Sequence, residues 1–167
     1  MNPSEVIKKT SIFDNLDEQE VDEILRISQE KRFAKGEIIT REGQHGDSMY
    51  ILCDGNVEVS KTLTMKLAEG DFREKEKILT RFKAEDNLVF GEMAMIDREN
   101  RSASVVTTTD CILLEIEREN FLVLLEKRPQ MGVKILRRLA ELLARRLRQS
   151  SQDVIRLTTA LSVALGS

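Results

Sequence analysis

The chain has 167 residues, of which 41% are hydrophobic and 33% are charged, a composition typical of one folded domain with an appended element. It contains no run of about 18 apolar residues and no apolar signal core near Met1, so we expect a cytoplasmic protein without a membrane span. The net charge of −3 is unevenly spread, because residues 127–167 carry +7 and the preceding residues carry −10.

The first 30 residues are predicted to be helical. Asp17 and Glu20 lie three residues apart and form a capping-box pattern at a helix start. The apolar residues after them recur on one helical face. We expect Ile12 and Phe13, just before this start, to dock the helix on the core.

From residue 33 to residue 116 the pattern changes to short strands separated by glycine turns. The predicted strands are Phe33–Ile39, Met49–Cys53, Val57–Met65, Lys77–Phe82, Ser102–Thr109 and Ile112–Ile116. Regular short strands with glycine turns indicate a β-sandwich or barrel. Residues 60–80 are highly charged and are expected to form a solvated loop, with a partner contact as the alternative.

The residues usually needed for catalysis are missing or isolated. His45 is the only histidine, whereas a metal-dependent enzyme would need several ligands converging on one ion. Cys53 and Cys111 lie in apolar segments and are expected to be reduced core thiols. No nucleophile-elbow or P-loop motif is present. We therefore predict that the protein is not an enzyme and holds no metal or cofactor.

The segment 90–105 combines groups suited to an anion beside a hydroxyl. Gly91 allows close approach of the backbone to a ligand, and a helical turn is expected to start at Glu92. Arg101 offers a planar fork that matches two phosphate oxygens. Ser102 and Ala103 add a hydroxyl and a backbone N–H without bulk. Glu92 would repel a phosphate, so its natural partner is a hydroxyl donor such as a sugar.

A long helix is predicted after Pro129, which is favoured at a first helical turn. An apolar seam with alternating spacings of four and three runs through it: Leu136, Ala140, Leu143, Leu147, Ser150, Val154, Leu157, Leu161 and Ala164. This spacing predicts a two-helix coiled coil, hence a homodimer through residues 136–164. The alternative is a helix that buries one stripe on its own domain. The basic charge of this region is expected to be a solvated helix face, with nucleic acid as the alternative partner.

The segment 90–105 resembles the phosphate-binding cassette of the cyclic nucleotide-binding domain family. The matching letters are F-G-E-M-A-M-I at 90–96 and R-S-A-S-V at 101–105, separated by a four-residue variable loop. The glycine spacing of residues 33–59 also follows the family, and the resemblance extends from about Ile12 to Leu147. One departure is Glu85-Asp86, where the family usually has Gly-Asp, which leaves the local turn uncertain.

The resemblance implies a mainly β fold, a jelly-roll β-barrel (double-stranded β-helix) flanked by N-terminal helices and a long C-terminal helix. We expect a barrel domain over residues 1–128 and a dimerisation helix over residues 129–167. In the family, the residues matching Glu92 and Arg101 hold the ribose 2′-hydroxyl and the cyclic phosphate.

The resemblance also implies the other ligand-binding residues. We expect Ser102 and the Ala103 amide to add phosphate contacts, and Gly91 and Met93 to line the same site. The helix further resembles that of the bacterial catabolite activators, in which two small hydroxyl residues reach the adenine. Their counterparts would be Ser150 and Ser151.

The combined reading predicts a non-enzymatic receptor domain that binds a 3′,5′-cyclic nucleotide and couples it to the C-terminal helix. Cyclic AMP is favoured by the paired serines, whereas Ser102 leaves cyclic GMP as the other candidate. The alternative function is a ligand-free dimerisation or protein-interaction module with the same fold. No DNA-binding domain is expected within this chain, and the downstream partner is open.

Overall fold

The computed structural model describes residues 2–68 and 71–166, and their side chains except those of residues 63–75. Two short helices come first, α1 (Pro3–Lys9) and α2 (Glu18–Arg26). The predicted capping box is confirmed, because the Glu20 amide donates to Asp17 Oδ1 and the Asp17 amide donates to Glu20 Oε2, both at 2.9 Å. The prediction of helix up to residue 30 is wrong at its end, since a strand begins at Ser28.

Eight antiparallel strands follow in the part of the chain that the structure describes. Their bounds are β1 (Ser28–Phe33), β2 (Ile38–Thr40), β3 (Ser48–Asp54), β4 (Asn56–Ala68), β5 (Asp71–Lys83), β6 (Val89–Phe90), β7 (Ser104–Thr107) and β8 (Cys111–Glu117). They pair into two four-stranded sheets, ordered β1-β8-β3-β6 and β2-β7-β4-β5.

This pairing corrects one strand prediction and one loop prediction. The predicted strand Phe33–Ile39 is split between β1 and β2, because a turn with Gly36 at φ 87° lies between them. The predicted strands Val57–Met65 and Lys77–Phe82 are confirmed as parts of β4 and β5. The solvated loop expected over residues 60–80 is wrong for most of its length, since β4 and β5 continue their antiparallel register from Asn56 and Lys83 to Ala68 and Asp71. Charged side chains are compatible with such a hairpin when its faces are solvated.

The fold-class prediction is correct for the jelly-roll-like β architecture and its flanking helices, but two of its details are not met. The pairing gives two four-stranded sheets and not one closed barrel. The protein is also not mainly β, because the helices contain more residues than the strands, and the last helix alone has 36.

Both faces of the first sheet are covered, as the alternation of buried residues along β3 shows. Met49, Ile51 and Cys53 pack with the helices in one cluster. Tyr50 and Leu52 point the other way and pack between the two sheets. Period-two alternation of side chains therefore gives one strand two buried faces.

The C-terminal helices are α3 (Arg118–Lys127) and α4 (Pro129–Ala164), and Pro129 takes the first-turn position that was predicted. The first part of α4 packs on its own domain through Met131, Ile135 and Leu139. Beyond residue 144 the described residues of α4 are exposed, apart from a half-buried Ser162. Although α4 is long, its basic residues leave it, like the other described helices, less apolar than a membrane-spanning segment.

Candidate functional site

A cavity opens beside the segment 90–105. Its walls come from β6 and the following 3₁₀ turn, from the loop at 97–103, from β2, β4 and β7, and from α4. The lining residues are Thr40, Val59, Phe90, Gly91, Glu92, Met93, Ala94, Asp97, Glu99, Asn100, Arg101, Ser102, Ala103, Val105 and Arg146.

The predicted helical turn at the start of this segment is present. Residues Glu92–Met95 form a 3₁₀ helix, and Gly91 caps it with φ 74°, a conformation that favours glycine. A Cβ atom at Gly91 would lie 2.5 Å from Arg101 Nη1 and 2.8 Å from the Ser48 carbonyl oxygen. Position 91 therefore requires glycine for two reasons: its backbone has a positive φ, and a side chain would overlap with Arg101.

Arg101 is held in place without neutralisation of its charge. Its Nη1 donates to the Ser48 carbonyl at 2.6 Å, and its Cζ lies 5.8 Å from the centroid of the Tyr50 ring. Its own amide donates to Gln44 O at 2.8 Å, which fixes the backbone. Among the described side chains no carboxylate lies within salt-bridge distance of Arg101, so a cation at the cavity wall is left for an anion.

Glu92 is 1% exposed and only half satisfied. Its Oε1 accepts a hydrogen bond from Arg146 Nη1 at 2.5 Å, and Arg146 Nη2 donates to the Val89 carbonyl at 2.8 Å. The other oxygen, Oε2, is buried and has no hydrogen-bond partner among the described residues. A buried acceptor without a donor is costly, so this oxygen is suited to a donor group on a ligand.

The structure brings six of the eight predicted site residues to the cavity. These are Gly91, Glu92, Met93, Arg101, Ser102 and Ala103. Ser150 and Ser151 do not line it; they are exposed on α4, and Ser151 Oγ donates to the Leu147 carbonyl at 2.9 Å. A ligand contact by this pair within one chain has no support in the structure, and their role stays a prediction.

Arg146 is the site residue that sequence reasoning missed. In the sequence it belonged to the basic charge that was assigned to a solvated helix face. Its signal is the second stripe of α4, since Met131, Ile135, Leu139 and Leu142 face the domain and the same spacing continues to Arg146. A charged residue that continues an apolar docking stripe indicates a buried partner, here Glu92.

Comparisons with known proteins identify the family and the fold. The sequence pattern of the cyclic nucleotide-binding domain family matches residues 30–128. The cyclic AMP receptor protein of Thermus thermophilus is 30% identical over 148 residues, covering 89% of this chain and 62% of that protein. The chain thus spans about three fifths of the length of this curated relative.

Solved structures give the same result. The crystal structure of Thermus thermophilus catabolite activator protein superposes with a TM-score of 0.74 at 31% identity, over 89% of this chain and 63% of that one. A co-crystal structure of the regulatory domain of Toxoplasma gondii PKA with cAMP gives a TM-score of 0.59 at 26% identity, over 72% and 42%.

Proposed function

The chain belongs to the cyclic nucleotide-binding domain family, and from that premise we propose that it is a non-enzymatic receptor for a 3′,5′-cyclic nucleotide. One observation carries the proposal: the unpaired guanidinium of Arg101 and the unpaired Oε2 of buried Glu92 line the same cavity. A cation and an acceptor on one cavity fit a ligand that carries a phosphate and a hydroxyl.

The proposed roles follow from charge. Arg101 pairs with the exocyclic oxygens of the cyclic phosphate, and Ser102 and the Ala103 amide add donors to the same group. Glu92 accepts from the ribose 2′-hydroxyl through Oε2, while Gly91 and Met93 shape the wall next to the sugar.

We propose cyclic AMP as the preferred ligand and cyclic GMP as the weaker one. The relatives supply the support, since one is a cyclic AMP receptor protein and one solved structure holds cAMP. Selection of adenine would fall to Ser150 and Ser151, reaching the site from the α4 of a second chain. The alternative is selection of guanine by the exposed hydroxyl of Ser102.

The homodimer belongs to the same proposal, with residues 1–128 as the nucleotide-binding unit and residues 129–167 as the dimerisation helix. Support comes from the seam over residues 136–164, most of which is exposed in the single chain, including Leu147 at 69%. An apolar seam that one chain leaves in water gains by pairing with a second copy.

Coupling between ligand and helix is proposed to run through Arg146. The ribose and Arg146 would share the two oxygens of one carboxylate, so binding and the position of α4 affect each other through Glu92. Any such effect is reciprocal, because a ligand that favours one arrangement of α4 is bound more tightly by it.

Isothermal titration calorimetry with cyclic AMP and cyclic GMP tests the function. We expect binding of both, tighter for cyclic AMP, and a loss of about 2–5 kcal/mol in Arg101→Ala, which is a factor of about 30 or more. Arg98→Ala is the control, because Arg98 is exposed in the same loop and does not line the cavity. Absence of heat with both nucleotides would favour the alternative, a protein-interaction module with an empty pocket.

A further inference from the structure

Two of the groups that lie against the Arg101 guanidinium belong to β3. One is the Ser48 carbonyl, which accepts from Nη1, and the other is the ring of Tyr50. The two residues lie on the same side of the strand, two positions apart, and both are buried. A backbone carbonyl and an aromatic ring of β3 therefore help to set the position of the cation.

A single carboxylate on the next strand anchors both of these residues. Glu115 of β8 stands opposite Tyr50 in the ladder. Its Oε1 accepts from the Tyr50 hydroxyl at 2.7 Å and from Ser48 Oγ at 3.0 Å, and its Oε2 lies 3.3 Å from Lys31 Nζ. Glu115 is not among the residues that line the cavity.

The Tyr50 ring is held by a stacking contact as well as at its hydroxyl. Phe90, a wall residue of the cavity, stacks on it with centroids 5.4 Å apart and planes at 23°. Burial raises the pKa of Tyr50, so the phenol stays protonated and remains a donor to Glu115. A hydroxyl bound to a carboxylate holds the ring in one orientation and keeps it available to the cation.

We propose that Glu115 is a positioning residue for phosphate recognition, which orients Arg101 by anchoring Ser48 and Tyr50 without touching the ligand. The inference rests on the proposed function. An arginine side chain has several freely rotating bonds, and holding it ready before the ligand arrives removes an entropic cost of binding. Loss of the anchor should therefore weaken binding of the phosphate while leaving the cavity walls in place.

The experiment measures cyclic AMP affinity by calorimetry for Glu115→Gln and for Tyr50→Phe. Each is expected to weaken binding about 3- to 10-fold, the effect of losing one or two hydrogen bonds. The matched control is Glu58→Gln. The Glu58 side chain has a similar exposure, 23% against 15%, and binds Arg81 on the neighbouring strand without lining the cavity. This control should leave the affinity unchanged within about 2-fold.

A double-variant comparison separates positioning from a general effect on the sheet. Arg101→Lys keeps the charge but lacks the planar fork, so Glu115→Gln should have less than about a 2-fold effect in that background. Equal effects of Glu115→Gln with either residue at position 101 would overturn the inference. So would a Glu115→Gln variant that binds as tightly as Glu58→Gln.

A measurement without nucleotide tests the positioning role separately from binding affinity. Nitrogen-15 relaxation of Arg101 Nε should show a more mobile guanidinium in Glu115→Gln than in Glu58→Gln, and equal mobility would overturn the inference. If the unmodified chain bound neither nucleotide, the proposed function and its phosphate role would both fail. Binding by the unmodified chain with no effect of Glu115→Gln would remove only the positioning role.

Discussion

Glu92 and Arg146 lie 54 residues apart in the chain, yet their side chains form a charge-assisted hydrogen bond at the wall of the cavity. Arg146 is the last residue of the α4 stripe that faces the domain, and Glu92 is the first residue of the turn after Gly91. This contact connects the loop that is proposed to hold the nucleotide to the helix that is proposed to pair with a second copy.

Replacing Arg146 by alanine should destabilise the chain because the buried Glu92 carboxylate then loses its donor. We expect a decrease of about 1–3 kcal/mol in the free energy of unfolding, measured by urea denaturation. Arg145→Ala is the control, since Arg145 is an exposed neighbour on α4. Equal losses in the two variants would show that Arg146 contributes only helix propensity or surface charge.

Gly91→Ala should be more damaging than the same change at Gly43. Both glycines have positive φ, 74° and 77°, so each substitution carries a strain of about 1–2 kcal/mol. Only at Gly91 would the new Cβ also meet Arg101 Nη1 and the Ser48 carbonyl, whereas nothing lies within 4 Å at Gly43. We expect an additional cost of about 1–3 kcal/mol and a loss of cyclic AMP binding for Gly91→Ala. Indistinguishable thermal unfolding of the two variants would contradict the crowding at Gly91.

A charge in the α4 seam should separate the subunits without unfolding them. Val154 lies on the predicted seam and is exposed in the single chain. Val154→Glu would bury a charge between the paired helices, so it should raise the dimer dissociation constant by about 100-fold or more. Thr159→Glu adds the same charge on the opposite side of the helix and should leave the dimer intact. Sedimentation velocity distinguishes the two, and a monomeric unmodified chain would contradict the proposed homodimer.

The contribution of Glu115 to stability should depend on pH. Burial opposes its ionisation, but hydrogen bonds from Tyr50 and Ser48 and the proximity of Lys31 together lower its pKa below the ordinary 4.5. A lowered pKa means that the unfolded chain binds the proton more readily, so the stabilisation is complete above the ordinary pKa and is lost as pH falls through the folded value. The difference in unfolding free energy between the unmodified chain and Glu115→Gln should be larger at pH 6 than at pH 3. A difference that is constant over this range would contradict the lowered pKa.

Both thiols should be unreactive in the folded protein. Burial raises the pKa of Cys53 to about 11 and also raises that of Cys111. At pH 8 about 0.1% of Cys53 would be thiolate, the form that reacts with iodoacetamide. Mass spectrometry should find no rapid alkylation in buffer and two modified cysteines in urea. Rapid native labelling of either residue would show that its surroundings open readily.

Local features of the fold were predictable because they depend on neighbouring residues. The capping box of α2 needs only Asp17 and Glu20, and the turn at Gly91 needs only a residue that tolerates positive φ. Most strands were found as short segments between glycine turns. The two-residue β6 was not, because so short a strand has no recognisable pattern. The extension of the β4–β5 hairpin to Ala68 and Asp71 was missed because the charges of this segment are typical of a loop.

The sequence by itself determined the family. It also identified Glu92 and Arg101 as parts of one predicted site, since they lie nine positions apart in a single segment. Only the tertiary structure decided which residues surround them. Arg146 reaches Glu92 because α4 packs back over the domain, and Glu115 anchors Tyr50 because β8 pairs with β3. Such contacts join residues more than 50 positions apart, and the packing of whole helices and strands, not local spacing, sets their distance.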